Sequence, residues 1–240
     1  MQWDNYDAAL FDLDGVLTPT AEVHMSAWAR MFTDFLTARG VSEPYTEDDY
    51  FAHIDGRPRY EGVAALLESR GIELPEGSAE DPPTAETVCG LGNRKNELFT
   101  EVLRSDGIQA YAGSLALLDH LEQVGVRMAV VSSSRNAPEV LEAAGIADRF
   151  PVVVHGGVAQ EQQLAGKPRP DTYAYAAEQL GVPTSRSVVL EDAISGVQAG
   201  AAGDFGLVVG VDRGAGAEPL RENGAEVVVQ DLAELIGERS

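Results

Sequence analysis

The sequence predicts an α/β fold, a doubly wound parallel sheet with an all-helical domain inserted after its first strand. Three observations carry this. Short apolar runs recur, each followed by polar or Gly-rich residues and then by a helical pattern, which is the alternation of a parallel sheet. The alternation is interrupted once, from residue 20 to about residue 105, where the pattern is helical throughout. Several helical patterns stop at a glycine, at Gly125, Gly145, Gly181 and Gly203, as helices commonly do.

In order, the first strand is expected over residues 7–11, and helices over 21–39, 47–54, 59–70 and 93–104 fill the insertion. Within it, residues 74–83 are rich in Pro, Glu, Gly, Ser and Asp and read as a solvated excursion, not as a linker between domains. The alternation then resumes with helix 114–124, strand 127–132, helix 137–144, strand 152–155, helix 171–180, strand 187–191, helix 194–202, and strands 205–211 and 225–229. The expected division is a catalytic domain of residues 1–19 and 106–240 and a helical domain of 20–105. In open α/β sheets ligands bind outside the carboxyl ends of the strands, so the helical block is expected over the active site.

Composition narrows the class of partner. With 17 Lys and Arg against 39 Asp and Glu, the net charge is −22 over 240 residues. Such a chain repels phosphate backbones and anionic headgroups, so no nucleic-acid partner and no membrane partner is expected. At 44% hydrophobic and 23% charged it is an ordinary globular composition. One cysteine, Cys89, excludes an internal disulfide and points to a reducing, cytoplasmic setting. The first residues lack the basic and apolar regions of a secretory signal, and no apolar run reaches the roughly 18 residues that span a bilayer. A monomer is expected.

The sharpest local signal is Phe11-Asp12-Leu13-Asp14-Gly15, directly after the first strand. Carboxylates at i and i+2 lie on one side of an extended chain and can reach one substrate. One could attack phosphorus while the other moves a proton on the departing or entering hydroxyl, and a divalent cation would relieve their repulsion. Taken alone, the same residues also fit an Asp-Gly turn. Glu191-Asp192, at the end of another predicted strand, fits a helix cap equally well by itself. Parallel strands place both acidic pairs on one sheet edge, where they suit a hard, oxygen-ligated cation such as Mg²⁺. Ser132-Ser133-Ser134-Arg135-Asn136 offers hydroxyls, amides and a guanidinium for phosphate oxygens near a helix start. Lys167, between Gly166 and Pro168, is a cation in a chain short of them.

Asp12-x-Asp14-Gly15, Ser132, Lys167 and Glu191-Asp192 occur in the order and strand context of the four motifs of the haloacid dehalogenase-like phosphotransferase superfamily, which the sequence resembles over nearly its whole length. Within it the chain looks most like the β-phosphoglucomutase group. The resemblance implies a Rossmann-like core with an inserted helical cap domain. It implies Asp12 as nucleophile and Asp14 as general acid and base, with Mg²⁺ held by the Asp12 carboxylate, the Asp14 carbonyl and Asp192, Glu191 close by. Ser132 and Lys167 would hold the transferring phosphoryl group.

The segment from Thr20 to Trp28 is similar to the mutase segment in which a histidine, here His24, lies near the acid/base aspartate and a tryptophan, here Trp28, lines the sugar site. Gly56-Arg57-Pro58-Arg59 looks like the loop whose arginine grips the phosphate that is not transferred, with Arg59 the better match. Lys95 and Asn96 match residues that reach towards the sugar. Pro19 departs from the group, which commonly has an acidic residue there, and the stretch from Leu74 to Gly92 is longer than the family needs. The implied substrate is a small sugar phosphate, and the implied reaction interconverts β-glucose 1-phosphate and glucose 6-phosphate through a bisphosphate. A sugar-phosphate phosphatase has the same core chemistry and is the alternative. A catalytically silent binding protein is disfavoured by the intact Asp12, Asp14, Lys167 and Asp192.

Overall fold

A computed structural model describes residues 1–237. They form two compact units, one of residues 1–19 and 108–237, the other of residues 20–107. The first holds a six-stranded sheet in the order β3-β2-β1-β4-β5-β6, formed by β1 (Ala8–Phe11), β2 (Arg127–Val131), β3 (Val152–Val154), β4 (Ser187–Glu191), β5 (Leu207–Val211) and β6 (Val227–Val229). Every pairing is parallel, and Leu10 of the central β1 lies between Ala129 and Val189. The chain order reverses across β1, which is the doubly wound arrangement the alternation predicts.

The other unit is built from α1 (Thr20–Ala38), α2 (Glu47–His53), α3 (Arg59–Ser69) and α4 (Val88–Asp106). The sheet is accompanied by α5 (Ala112–Val124), α6 (Ala137–Ala143), α7 (Gly156–Glu161), α8 (Asp171–Leu180), α9 (Ile194–Ala202) and α10 (Ala217–Glu222).

All four β1 residues, Ala8 to Phe11, are fully buried, as a central parallel strand covered on both faces must be. Ala8 and Leu10 share one face with Ala129, Val131 and Val189, and that face packs against Tyr173, Ala176, Ala177 and Leu180 of α8. Small residues at 8, 129, 176 and 177 let helix and sheet approach closely while Tyr173 fills the volume.

In the helical unit, Trp28, Met31, Phe32, Phe35 and Leu36 repeat at three- and four-residue spacing on α1. They pack with Tyr50 and Ile54, with Val63, Leu66 and Leu67 of α3, and with Val88 and Leu91 of α4. A reciprocal cap starts α2: Thr46 Oγ1 accepts from Asp49 N while the Asp49 carboxylate accepts from Thr46 N at 2.8 Å.

The structure departs from the expected elements at the start of α4 and in two additional short helices, and it shows how the solvated excursion is held. Thr87 caps α4 by accepting from Gly90 N at 2.9 Å, so the helix starts at Val88 instead of residue 93, and Val88 and Leu91 join the core. The excursion before it is an ordered loop closed by its own polar groups, with Thr87 Oγ1 donating to Asp81 at 2.6 Å and Asn93 Nδ2 donating to the carbonyls of Ala79 and Asp81. The six-residue α7 and α10 were not expected. Among the described residues no helix is long and apolar enough to cross a membrane.

Candidate active site

The chain leaves each central strand at the same sheet edge, and the acidic, hydroxyl and amine groups of the first unit stand there. Asp12 follows β1, Ser132 follows β2, and Glu191 ends β4 with Asp192 next to it. The Lys167 side chain comes from the loop before α8. Its Nζ donates to Asp12 Oδ1 and to Glu191 Oε1, both at 2.5 Å, and to the Val131 carbonyl at 3.2 Å. Asp12, Lys167 and Glu191 are 7%, 4% and 0% exposed, so these are charges taken out of water and held by one another.

Burial pushes the Asp12 carboxyl well above the usual range; the Lys167 charge opposes this, and the neighbouring carboxylates of Glu191 and Asp14 add to it. For Lys167, burial acts downward, but Asp12 and Glu191 outweigh it and hold the ammonium well above its ordinary value.

Glu191 is tightly engaged. Oε1 accepts from Lys167 and from Tyr173 Oη at 3.3 Å, and Oε2 accepts from Ala193 N at 2.7 Å. Tyr173, which the sequence reading did not single out, also lays its ring 5.1 Å from Lys167 Nζ. The signal that could have found it is its position, six residues after Lys167 and inside the first turn of the following helix.

Asp14 sits in a tight turn closed by Gly15 N donating to Thr18 O at 2.8 Å. Gly15 has φ +82°, and a Cβ there would lie 1.9 Å from Asp192 Oδ2, so only glycine lets the turn and the Asp192 carboxylate approach this closely. Ser132 Oγ reaches Asp14 Oδ2 at 3.4 Å and accepts from Ser134 N at 3.1 Å. Ser133, Ser134 and the buried Asn136 continue this loop into α6, with Ser134 Oγ accepting from Asn136 N at 3.2 Å. Arg135 is not part of the cluster: it is exposed and contacts Gln160 of α7.

Four carboxylates, those of Asp12, Asp14, Glu191 and Asp192, therefore stand at one sheet edge with a single ammonium among them. Among the described residues no three His, Cys, Asp or Glu side chains form a ready cage. The donors are nevertheless all oxygen, and the space left at Gly15 brings Asp192 against the Asp14 turn, so the residues present fit a hard divalent cation.

The helical unit holds a second constellation. Lys95 on α4 is 3% exposed, and its Nζ contacts His24 Nδ1 and lies 5.0 Å from the ring of Trp28 and 5.1 Å from that of Phe99. His24 stacks on Phe99 at 4.0 Å. His24 and Trp28 are one turn apart on α1, as are Lys95 and Phe99 on α4, so two helix faces supply the whole group. Phe99 was also missed by the sequence reading, although its spacing from Lys95 would have found it. Arg59 Nη2 donates to Asn96 Oδ1 at 2.7 Å. Gly56 and the exposed Arg57 occupy the turn between α2 and α3, just before Arg59, where Arg57 N donates to Ile54 O at 3.0 Å. Lys95 and Lys167 are the only lysines in the sequence.

A family model described as a haloacid dehalogenase-like hydrolase matches residues 6–204. Over 239 residues the chain is 48% identical to a Mycobacterium bovis protein named Beta-phosphoglucomutase, covering 95% of this chain and 91% of that one. It is 31% identical to the Bacillus subtilis protein of the same name, with 95% and 91% covered. The crystal structure of a β-phosphoglucomutase from Clostridium difficile matches with a TM-score of 0.78 at 25% identity, covering 96% of this chain and 93% of that one. By these matches and by its parallel sheet, the chain belongs to the haloacid dehalogenase-like hydrolase family, within its β-phosphoglucomutase group.

Proposed function

We propose that the protein is a β-phosphoglucomutase, interconverting β-glucose 1-phosphate and glucose 6-phosphate through a bisphosphate and an aspartyl-phosphate on Asp12. The observation that carries this reading is the presence of two separate cationic sets, Lys167 on Asp12 in the sheet unit and Lys95 with Arg59 in the helical unit. A phosphatase needs only the first, whereas a mutase must hold both phosphoryl groups of its bisphosphate. The relatives named for this activity support it.

In this reading the Asp12 carboxylate attacks phosphorus, the bond from phosphorus to the sugar oxygen breaks, and Asp14 gives that oxygen a proton. Asp14 later takes a proton from the hydroxyl that attacks the aspartyl-phosphate. Lys167 and the Ser132 hydroxyl hold the equatorial oxygens, where charge is spread as the group transfers. We assign Ser133, Ser134 and Asn136 to shaping that loop, and His24, Trp28, Asn96 and the Gly56–Arg59 turn to sugar and second-phosphate binding. Asp12, the Asp14 carbonyl and Asp192 would hold Mg²⁺, with Glu191 beside them steering Lys167. The cation would neutralise phosphoryl charge when bound. The single buried Cys89 supports a reducing, cytoplasmic setting, and the net charge of −22 supports a small-molecule substrate without a nucleic-acid partner.

Product analysis tests the proposal. With β-glucose 1-phosphate, Mg²⁺ and a trace of β-glucose 1,6-bisphosphate, glucose 6-phosphate should accumulate well ahead of inorganic phosphate. Phosphate release without glucose 6-phosphate would instead establish the phosphatase.

A further inference from the structure

The turn that carries Asp14 is held from several directions. Leu13 O accepts from Leu17 N at 2.9 Å and Thr18 N at 3.1 Å, and Leu17 O accepts from Tyr111 N at 3.0 Å. Val16 O accepts from Ser114 Oγ at 2.8 Å. The carbonyl of Gly15, next to Asp14, is reached by a charged group: Arg213 Nε donates to it at 2.9 Å across 198 residues of chain.

Arg213 follows β5 at the same sheet edge, and its own orientation is fixed. Its guanidinium lies 4.1 Å from the centre of the Tyr111 ring. Nη1 donates to Gln230 O at 2.9 Å, while Nη2 is buried with no hydrogen-bond partner. Arg213 is half-buried, and burying its Nη2 without a partner is a costly device if the turn needs only packing. What it adds is direction, because the planar fork holds one carbonyl at a set angle while the aromatic face and a second carbonyl stop it from turning.

We propose that Arg213 is a positioning residue for proton transfer: by holding the Gly15 carbonyl it sets the turn so that the Asp14 carboxyl meets the leaving oxygen. The inference rests on Asp14 being the acid and base of the proposed reaction. When phosphoryl passes to Asp12 from a sugar phosphate, the sugar oxygen keeps the bonding pair and takes a proton from Asp14. From acetyl phosphate the leaving group departs as acetate and takes none.

The two donors therefore separate a positioning role from general damage. First-turnover rates of Arg213→Ala and Arg213→Lys are compared on β-glucose 1-phosphate and on acetyl phosphate, with circular dichroism to confirm folding. Arg213→Ala should be slowed about tenfold or more on the sugar phosphate, with KM little changed, and less than about twofold on acetyl phosphate. Arg213→Lys, which can still donate to the carbonyl but cannot reproduce the fork, should recover part of the loss. Equal slowing on both donors, or on neither, overturns the proposal. If Arg213→Ala does not fold, Arg213→Lys carries the comparison, and its loss must show the same donor preference. If wild-type enzyme makes no glucose 6-phosphate, the mutase reading fails on its own, and the comparison is run as phosphate release from glucose 6-phosphate against acetate release.

Discussion

Burial makes Asp12 and Lys167 depend on each other. A carboxyl alone in that place would be pushed still further towards its neutral form, a poor nucleophile; the ammonium 2.5 Å away opposes that push and favours the form that attacks. Asp12→Asn keeps the shape and removes the attacking oxygen, so it should lower phosphoryl transfer by at least about a thousandfold, with no acid-stable phosphoenzyme trapped from labelled donor. Arg59→Ala should cost about 10- to 100-fold on the sugar phosphate, the value of a charge-assisted contact, and far less on acetyl phosphate. Equal losses on both donors would remove Arg59 from second-phosphate binding. Asp12, Ser132 and Glu191 were legible because each stands at the end of a recognisable strand, and Lys167 because it is one of only two lysines in the sequence. Tyr173 and Arg213 were not, because their partners, Glu191 and Gly15, are 18 and 198 residues away and only the closed sheet brings them together.

Elements were legible in proportion to their length and periodicity. The strands could be read from apolar runs, but the ladders are shorter than the runs: β5 begins at Leu207 where the pattern suggested 205, and β6 at Val227 where it suggested 225. Hydropathy does not mark where a ladder begins: Phe205 and Ala225 are apolar, yet the strands start two residues later. Helices α7 and α10 carry too few residues for a period to register, and glycines open α7. That helix is started by a side chain with a pH dependence. His155 Nδ1 accepts from Gly157 N at 3.1 Å, which only the unprotonated nitrogen can do.

Burial holds the His155 imidazole below its ordinary value of 6.5; the Glu161 charge works against this and the Arg135 charge with it. The unfolded chain therefore binds the proton first. The cap's contribution is complete above the unfolded value and is lost as the pH falls through the lower folded one. His155→Asn keeps an acceptor and does not titrate, so between about pH 7.5 and about pH 5.5 its urea midpoint should fall less than that of the wild type. Parallel curves would show that His155 contributes nothing to acid sensitivity.

At the scale of the whole molecule the excess of 39 acidic over 17 basic residues acts as self-repulsion. Raising the ionic strength from about 0.01 M to about 0.15 M shortens the screening length from about 30 Å to about 8 Å, and should raise the thermal midpoint by about 2–4 °C if roughly 1 kcal/mol of repulsion is relieved. A midpoint indifferent to salt would mean that local ion pairs such as Arg186 with Asp7 and Arg149 with Asp119 already balance the field.

The same shortage of cations has a chemical side. Both lysines of the chain are buried, one on Asp12 and one among His24, Trp28 and Phe99, so the molecule presents no lysine amine to its surroundings. An acylating reagent, whether added at the bench or met as a reactive metabolite, finds no lysine on the surface to consume it harmlessly. Any lysine it does modify is one the proposed reaction needs, and the extent of labelling reads out how often these two amines become accessible.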